Sequence, residues 1–250
     1  VNASSIDRWK RIDKIYKAPL FQKDLIDPSF IKQGKISDCT LINAFARIAK
    51  QYYLVPLLFE RKLPNSILGH VKNSINIKCG AVVVYFQAFG RRLPVLIDTY
   101  VPVNKLGNLI SSSPSDNLKS PWFCLVEKAF AKLNGSYNNI YGGQFAASVY
   151  SLFFYRPGGK CKNPSFDFIM EKQKDGCLMS ASINNKNISK SDANLRSSHC
   201  YLILKARSYK GINLIFILNP WGNTRFVGKY SRFSDEWTPE LKKAFNYDYY

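Results

Sequence analysis

Three residues far apart in the sequence, Cys39, His199 and Asn219, have the side-chain types that nucleophilic catalysis requires. A cysteine thiolate attacks a carbonyl carbon, an imidazole moves the proton, and a third polar group fixes the imidazole tautomer. Gln33 lies six residues before Cys39, and its amide could donate a hydrogen bond to an oxygen that gains charge during acyl transfer. These residue types together predict acyl transfer by a cysteine nucleophile.

Each of these residues also has a purely structural interpretation. A cysteine is often a small buried core residue, and a histidine beside a strand can be held by hydrogen bonds without any chemical role. Asn219 precedes Pro220 and could simply end a strand at a turn. The occurrence of all three residue types in one chain favours the catalytic interpretation over three separate structural ones.

The nucleophile is predicted at the start of a helix. The polar segment Gln33–Asp38 ends directly before Cys39, and apolar residues then recur on one helical face from Ala44 to Ala49. This pattern predicts a helix from Cys39 to about Tyr52. The unpaired backbone N–H groups of a helix N-terminus favour negative charge, and a thiol placed there ionises more easily.

The base and its orienting residue are predicted on neighbouring strands. Residues His199–Tyr209 and Ile212–Asn219 are rich in apolar and β-branched types, and Lys210-Gly211 between them is typical of a hairpin turn. His199 and Asn219 each lie about ten residues from that turn, so an antiparallel register would place them at matching heights.

The rest of the chain alternates between helical and extended patterns. Residues 1–30 are predicted to be an irregular or partly helical lead-in, and a hinge at Tyr141-Gly142-Gly143 is predicted to separate two halves, residues 1–142 and 143–250. The other predicted elements are a hairpin (Ala81–Phe89 and Arg92–Val101), a loop (residues 104–120), a helix (Pro121–Leu133, capped by Ser120 and closed by Gly135), strands at Cys177–Ile183 and Phe226–Tyr230, and a last helix (Glu240–Phe245) capped by Thr238.

Composition predicts a globular chain. Of its 250 residues 46% are hydrophobic, yet no run of about 18 apolar residues predicts a membrane span and no signal peptide is visible. The first residue is Val1, which suggests a piece of a longer protein with flanking domains. Six scattered cysteines form no CxxC pair, which argues against a zinc site or a disulfide scaffold and favours a reducing, cytoplasmic location.

The formal net charge of +19 has three possible meanings. Residues 1–142 carry 20 Lys and Arg against 9 Asp and Glu, and residues 143–250 carry 16 against 8, so the excess is spread evenly. Codon bias with simple solvation explains such a spread, attraction of acidic substrates is an alternative, and nucleic-acid binding is a third hypothesis that rests on charge alone. We expect no specific nucleic-acid partner.

Several motifs in the same order resemble the catalytic core of calpain-family cysteine proteases. The family's nucleophile motif, Gln-Gly followed by Gly-Asp-Cys-Trp, is similar to residues 33–40, and its Asn-Pro-Trp-Gly motif is present at 219–222. Its Phe-Gly hairpin resembles residues 89–98, its Leu-Glu-Lys-Ala-Tyr-Ala-Lys and Gly-Ser-Tyr segment resembles residues 122–143, and its Gly-His-Ala-Tyr resembles residues 198–201. The similarity covers roughly residues 20–247.

The resemblance implies an α+β, papain-like core with a helical lobe carrying Cys39 and an antiparallel β-rich lobe carrying His199 and Asn219. It implies endoproteolysis of protein substrates through a thioester acyl-enzyme, with the oxyanion held by Gln33 and the Cys39 backbone N–H. Three further residues are expected to line or shield the substrate cleft; they are Gly34, Asp38 and Trp221.

This chain departs from the family pattern at several positions. Ser37 and Thr40 stand where the motif has Gly and Trp, and loss of the Trp removes an aromatic wall of the cleft. The alternative hypothesis is therefore a catalytically impaired calpain-like module that binds proteins. Non-acidic residues occupy positions where the family has calcium-binding carboxylates, namely Arg91, Asn223, Arg225 and Arg232, so we expect no bound metal and no cofactor.

Overall fold

A computed structural model describes residues 6–20, 22–59, 77–88, 90–116, 118–140, 152–153, 159–182, 194–197, 199–222 and 226–247. The chain divides into two compact units, Val1–Lys160 and Cys161–Tyr250. Both contain helices and antiparallel strands, which is the α+β class that the sequence predicts. None of the described helices is long and apolar enough to cross a membrane.

In the described part of the first unit, strands pair two by two and antiparallel. Strand β1 (Arg8–Arg11) leads into the short helix α1 (Ile12–Ile15), and single turns of 3₁₀-helix connect several of the other elements. The pairs are β1 with β5 (Tyr100–Val103), β2 (Ile31–Lys32) with β6 (Ser113–Pro114), and β3 (Ala81–Ala88) with β4 (Arg91–Asp98).

Two long helices form the centre of this unit, α2 (Cys39–Lys50) and α3 (Trp122–Leu133). The buried Phe45 ring of α2 meets Trp122 of α3 edge-on with ring centroids 5.6 Å apart, and it lies 6.1 Å from Phe153. Phe86 of β3 lies 5.4 Å from the same Phe153 ring. Aromatic pairs at these separations contribute about 0.5–1.5 kcal/mol beyond their burial, so this cluster anchors α2 in the unit.

The second unit is a three-stranded antiparallel sheet with two helices. Its strands follow the order β7 (Met179–Ser182), β8 (Cys200–Tyr209) and β9 (Ile212–Leu218). Helix α4 (Phe166–Lys174) meets β8 where the Gln173 side chain bonds both backbone groups of Ala206. Helix α5 (Pro239–Phe245) meets the same strand, because Lys205 donates to the Phe245 carbonyl at 2.7 Å.

Several predicted elements are confirmed within a residue or two. The helix that begins at Cys39 ends at Lys50, Thr238 accepts from Leu241 N to cap α5, and Lys210 and Gly211 both have positive φ at the β8–β9 turn. The hairpin of β3 and β4 is present, with Pro94 inside β4 opposite Tyr85. A pair of strands tolerates this proline, because each strand of the pair has an edge that pairs with no other strand among the residues the structure describes.

Other predictions are wrong. Residues 226–230 form no strand, because Gly228 and Tyr230 have positive φ values that an extended strand excludes. Ser120 does not cap α3; its hydroxyl donates to the Leu20 carbonyl, and Pro121 takes the N-cap position. The lead-in is partly helical, as predicted, but it also contains β1; the loop 104–120 contains β6, and α4 was not predicted.

Some predictions lie outside the described residues. These are the hinge at Tyr141-Gly142-Gly143, and with it the boundary between residues 142 and 143, as well as Phe89, Ile183, Ser198, Asn223 and Arg225. The observed division between Lys160 and Cys161 falls later in the chain than that boundary. The predicted hinge stays a prediction.

Candidate active site

Cys39 is the first residue of α2, as its sequence context predicts. Its thiol is half-buried and not in a disulfide, and the backbone N–H groups of Leu41 and Ile42 bond to the Asp38 carbonyl at 2.8 and 3.1 Å. The side chain of Asp38 makes no capping hydrogen bond, although aspartate is a favoured capping residue. The positive end of the α2 dipole therefore lies near the Cys39 thiol. The Asp38 carboxyl group does not cap this end of the helix, so it does not cancel the positive partial charge there.

The segment before Cys39 is held against residues 110–115 by backbone contacts. Lys35 N–H donates to the Ile110 carbonyl at 2.8 Å, and β2 pairs with β6 just upstream. A Cβ atom on Gly34 would overlap the carbonyl oxygens of Ile110 and Ser111. Glycine at position 34 is therefore a steric requirement of the segment that carries Gln33 and Cys39.

The Gln33 amide is directed to two acceptors of its own segment. Its Nε2 donates to the Ile36 carbonyl at 2.8 Å and, more weakly, to Asp38 Oδ1 at 3.4 Å. The strong bond to Ile36 fixes which end of the amide carries the hydrogens. The hydrogen on the long contact is the one that an oxyanion could take over.

Asp38 is fully buried, with 0% of its surface exposed. The expectation that it lines a cleft does not fit this burial, because its carboxyl group points into the unit. There it meets Glu127 of α3, which is also 0% exposed and accepts a 2.8 Å bond from Ser112 N–H. Burial and the neighbouring Glu127 raise the pKa of Asp38 well above its usual value.

In the second unit, His199 and Asn219 are in direct contact. His199 Nε2 lies 2.8 Å from Asn219 Oδ1, and the Trp221 backbone N–H donates to the same oxygen at 3.1 Å. A carbonyl oxygen only accepts, so Nε2 carries the hydrogen and Nδ1 of the neutral ring is the proton acceptor. This is the tautomer that a general base needs if Nδ1 faces the nucleophile.

Two aromatic rings flank the imidazole. The Trp221 ring centroid lies 4.2 Å from that of His199, and Tyr201 meets the imidazole edge-on at 4.9 Å. His199 is 4% exposed, and this burial lowers its pKa below the usual value, while the hydrogen bond that it donates to Asn219 acts in the opposite direction. The ring is therefore held neutral near pH 7 when no anion faces it.

A β-bulge brings His199 and Asn219 to the same face of the sheet. From the turn outward, residues pair as Tyr209 with Ile212 down to Lys205 with Phe216, but the next pair is Ile203 with Ile217. Leu204 is the extra residue. If Leu204 were paired in the regular register, Asn219 would lie opposite Leu202, on the face away from His199. Because Leu204 is bulged out, Asn219 aligns with Tyr201, whose side chain shares the His199 face.

The prediction of matching heights is therefore only approximate. Extending the bulged register places His199 opposite Trp221, so the His199–Asn219 contact is diagonal across the hairpin. The ring contact between His199 and Trp221 agrees with that register. Both units thus hold their own predicted residues together: Gln33, Gly34, Asp38 and Cys39 in the first, and His199, Asn219 and Trp221 in the second.

Sequence reasoning missed the roles of Ser112, Glu127 and Tyr201. A signal for Glu127 was present, because it is a lone acid on a helical face that also carries Phe123, Phe130 and Ala131. Acidic residues are almost never fully buried unless they are paired. Ser112 gave no such signal, since it lies in a run of three serines.

Comparison with known proteins decides the family. The family described as calpain family cysteine protease matches residues 2–248 of this chain. The chain belongs to the calpain family of cysteine proteases. Calpain-1 catalytic subunit of Macaca fascicularis is 29% identical over 245 residues, 92% of this chain and 32% of that protein. Calpain-7 of Sus scrofa is 30% identical over 233 residues, 87% of this chain and 28% of that protein.

This calpain-family chain spans about a third of the length of these relatives or less. Calpain-7 of Mus musculus gives a similar result, at 28% identity over 260 residues. The similarity therefore concerns one region of larger proteins.

The expectation that this chain binds no calcium stays a prediction. No group of three or more His, Cys, Asp or Glu side chains in the described ranges could hold a metal ion. Arg91 lies exposed at the start of β4, and Arg232 stacks 5.8 Å from the Phe233 ring. Calcium requires several oxygen ligands, and cations at these positions oppose its binding.

Proposed function

We propose that this chain is the catalytic core of a cysteine endopeptidase that cuts protein substrates. The observation that carries the proposal is the bond between His199 Nε2 and Asn219 Oδ1, which leaves Nδ1 as a base. Family membership and the position of Cys39 at the start of α2 support the same conclusion. The proposal includes the papain-like fold that the family resemblance implies.

In the proposed reaction, Cys39 transfers its proton to Nδ1 of His199, and the thiolate attacks the scissile carbonyl carbon. The amide hydrogen of Gln33 that now rests on Asp38 and the Cys39 backbone N–H hold the oxyanion. The C–N bond breaks as imidazolium protonates the leaving amine, which produces a thioester. Water then gives a proton to His199 and cleaves the thioester, which restores the thiol form.

The test is the rate of Cys39 alkylation by iodoacetamide against pH, read by peptide mass spectrometry. Peptide resolution is needed because Cys79, Cys161 and Cys177 are exposed and also react. A His-paired thiol has a pKa of roughly 3.5–7.5 instead of about 8.5. We expect fast alkylation below pH 8 that is lost in His199→Ala but kept in the control Cys177→Ser. A Cys39 profile near pH 8.5 that is unchanged by His199→Ala would contradict the proposal.

Thr40 supports a second candidate, a calpain-like module that binds proteins without cutting them. This half-buried residue replaces the Trp of the family motif next to the nucleophile. The two candidates differ in one assay: a peptide library incubated with the protein is cleaved by the enzyme and left intact by the module. Cleavage that is absent in the wild type and restored by Thr40→Trp would favour the module.

We further propose that the core works without a calcium switch and acts in the cytoplasm on proteins. The calcium proposal rests on the arginines at positions 91 and 232 and on the donor set described above. The Cys39 alkylation profile should then be the same in calcium chloride and in a chelator. Faster alkylation in calcium, together with heat of calcium binding, would refute it.

A further inference from the structure

Buried polar groups connect α3 to the nucleophile segment. The Ser112 backbone N–H and hydroxyl both donate to Glu127 Oε2, and Gln33 Nε2 contacts Asp38 Oδ1. The two carboxyl groups are neighbours, and each affects the pKa of the other. Two carboxyl groups can form a hydrogen bond with each other only if a proton lies between them.

Counting partners fixes the number of protons. Asp38 Oδ2 and Glu127 Oε1 are both buried, and neither has a hydrogen-bond partner among the described residues. With no proton on the pair, both oxygens would be unpaired and two negative charges would meet in the core. With two protons, both hydroxyls would compete for the same contact. With one proton, all four carboxyl oxygens have a partner.

We propose that Asp38 and Glu127 share one proton in the folded protein, carried on Asp38, and that this pair positions Cys39 and Gln33. The proposal rests on the proposed function in one respect, namely that Cys39 is the nucleophile. Glu127 keeps the negative charge because Ser112 supplies two donors to it. Asp38 is then a neutral acid that donates to Glu127 and accepts from Gln33.

The surroundings of the pair favour this assignment. Burial raises the pKa of Glu127 to about 7 while the Ser112 bonds act to lower it, and burial together with the neighbouring Glu127 also raises the pKa of Asp38 well above its usual value. The other titratable groups that face the pair are Cys124 of α3 and Tyr137 of the turn after it. Burial raises the pKa of both, so neither adds charge near neutral pH.

Neutral Asp38 has two consequences for the site. A negative charge on the residue directly before Cys39 would oppose thiolate formation, and the shared proton removes it. Asp38 Oδ1 also holds the Gln33 hydrogen that the proposed mechanism uses. The pair acts through these residues and does not contact a substrate, so both acids are positioning residues.

The pair also makes stability depend on pH. Its protons bind more tightly in the folded than in the unfolded protein, where carboxyl pKa values are about 4. Its stabilising contribution is therefore complete below about pH 4 and is lost as the pH rises through the folded pKa values. Loss of the shared proton would leave two buried carboxylates facing each other.

Two isosteric variants distinguish a neutral Asp38 from an ionised one. In Asp38→Asn the amide donates to Glu127 and accepts from Gln33, so it copies neutral Asp38. In Glu127→Gln the amide donates to Asp38, which then ionises beside Cys39. We expect Asp38→Asn to keep the pH profile of Cys39 alkylation, whereas Glu127→Gln slows alkylation at pH 7 about tenfold, one unit of thiol pKa.

Infrared spectroscopy gives a second readout that does not depend on proteolysis. The wild type should show the carbonyl band of a protonated carboxyl at pH 6, and both variants should lack it. Absence of the band in the wild type, or equal alkylation profiles in two folded variants, would overturn the proposal. If Glu127→Gln does not fold, the band and its loss in Asp38→Asn decide the question. If the band is present but the alkylation of Cys39 does not depend on His199, the proton pair is supported and the proposed protease is rejected.

Discussion

His199 contacts Asn219 diagonally across the β8–β9 hairpin, with 2.8 Å between Nε2 and Oδ1. The contact depends on the register of β8 and β9 beyond the bulge at Leu204, because a slip of one residue exchanges the two faces of a strand. Asn219 is in turn fixed by the Trp221 backbone N–H. The base is thus oriented by strand register and by a local turn, and both can be tested separately.

Deleting Ile217 from β9 should separate His199 from Asn219, because Asn219 then moves one position toward the turn, opposite Leu202, on the face away from His199. We expect loss of the rapid, pH-dependent alkylation of Cys39. The matched control deletes Leu204, which removes the extra residue and leaves the pairs Ile203–Ile217 and Lys205–Phe216 in place, so it should keep the pH profile. Rapid alkylation in the Ile217 deletion variant would show that strand register does not position His199.

Asn219→Ala should weaken catalysis without abolishing it. It removes one hydrogen bond, worth about 1 kcal/mol, that selects the Nε2–H tautomer, so kcat should fall about five- to tenfold. KM should change little, because Asn219 does not need to touch the substrate. Asn213→Ala on the exposed face of β9 is the control. An unchanged kcat in Asn219→Ala would mean that another group fixes the imidazole.

Trp221→Ala should raise the pKa of His199 toward its ordinary value of 6.5, because the ring that covers the imidazole is removed. The measurement is an NMR titration of the His199 ring in a Cys39→Ser background, so that no thiolate contributes. Trp9→Ala, which removes a partly exposed tryptophan from the first unit, is the control. A His199 pKa that stays low in Trp221→Ala would assign the burial to other groups.

The lowered pKa of His199 also predicts a trend in stability. Because the folded protein binds this proton more weakly than the unfolded chain, the free energy of unfolding should decrease as the pH falls below about 6.5. The decrease should level off once the pH is below the folded pKa. Comparison with His199→Gln by urea unfolding isolates this contribution, and parallel pH curves for the two proteins would contradict it.

Gly34→Ala should destabilise the first unit, because its Cβ would overlap two backbone carbonyl oxygens. Overpacking of this kind costs typically 1–3 kcal/mol, here measured as a lower Tm. Gly159→Ala is the matched control, since no atom lies within 4 Å of its added Cβ and its φ is not positive. Equal Tm values for the two variants would show that the segment shifts without cost.

The sequence predicted where α2 and the β8–β9 hairpin begin and turn better than it predicted which residues of β8 and β9 pair. The Lys210-Gly211 turn and the first residue of α2 are encoded by residue types at fixed positions, and both are confirmed. The bulge was not predictable, because Leu202, Ile203 and Leu204 are all apolar and hide the two-residue alternation. The Asp38–Glu127 contact joins distant residues, and local patterns carry no information on such pairs.

Some elements were missed for a different reason. Helix α4 has a polar composition with one buried residue, Ile169, so its hydrophobic pattern is weak. Its only local signal is Ser165, which accepts from Phe168 N–H as a cap. Strand β1 is short and mostly exposed, and it exists through pairing with β5.

The helices of the first unit are joined in two chemically different ways. The aromatic cluster of Phe45, Trp122 and Phe153 is non-directional, and cores of this kind tolerate substitutions that keep their volume. With the proposed shared proton, the Ser112–Glu127–Asp38 chain is directional, because each of its hydrogen bonds requires a defined geometry. Substitutions in the cluster should therefore accumulate during divergence with little effect on the chemistry of Cys39. A directed-evolution library that varies the cluster and fixes the polar chain should yield many active variants.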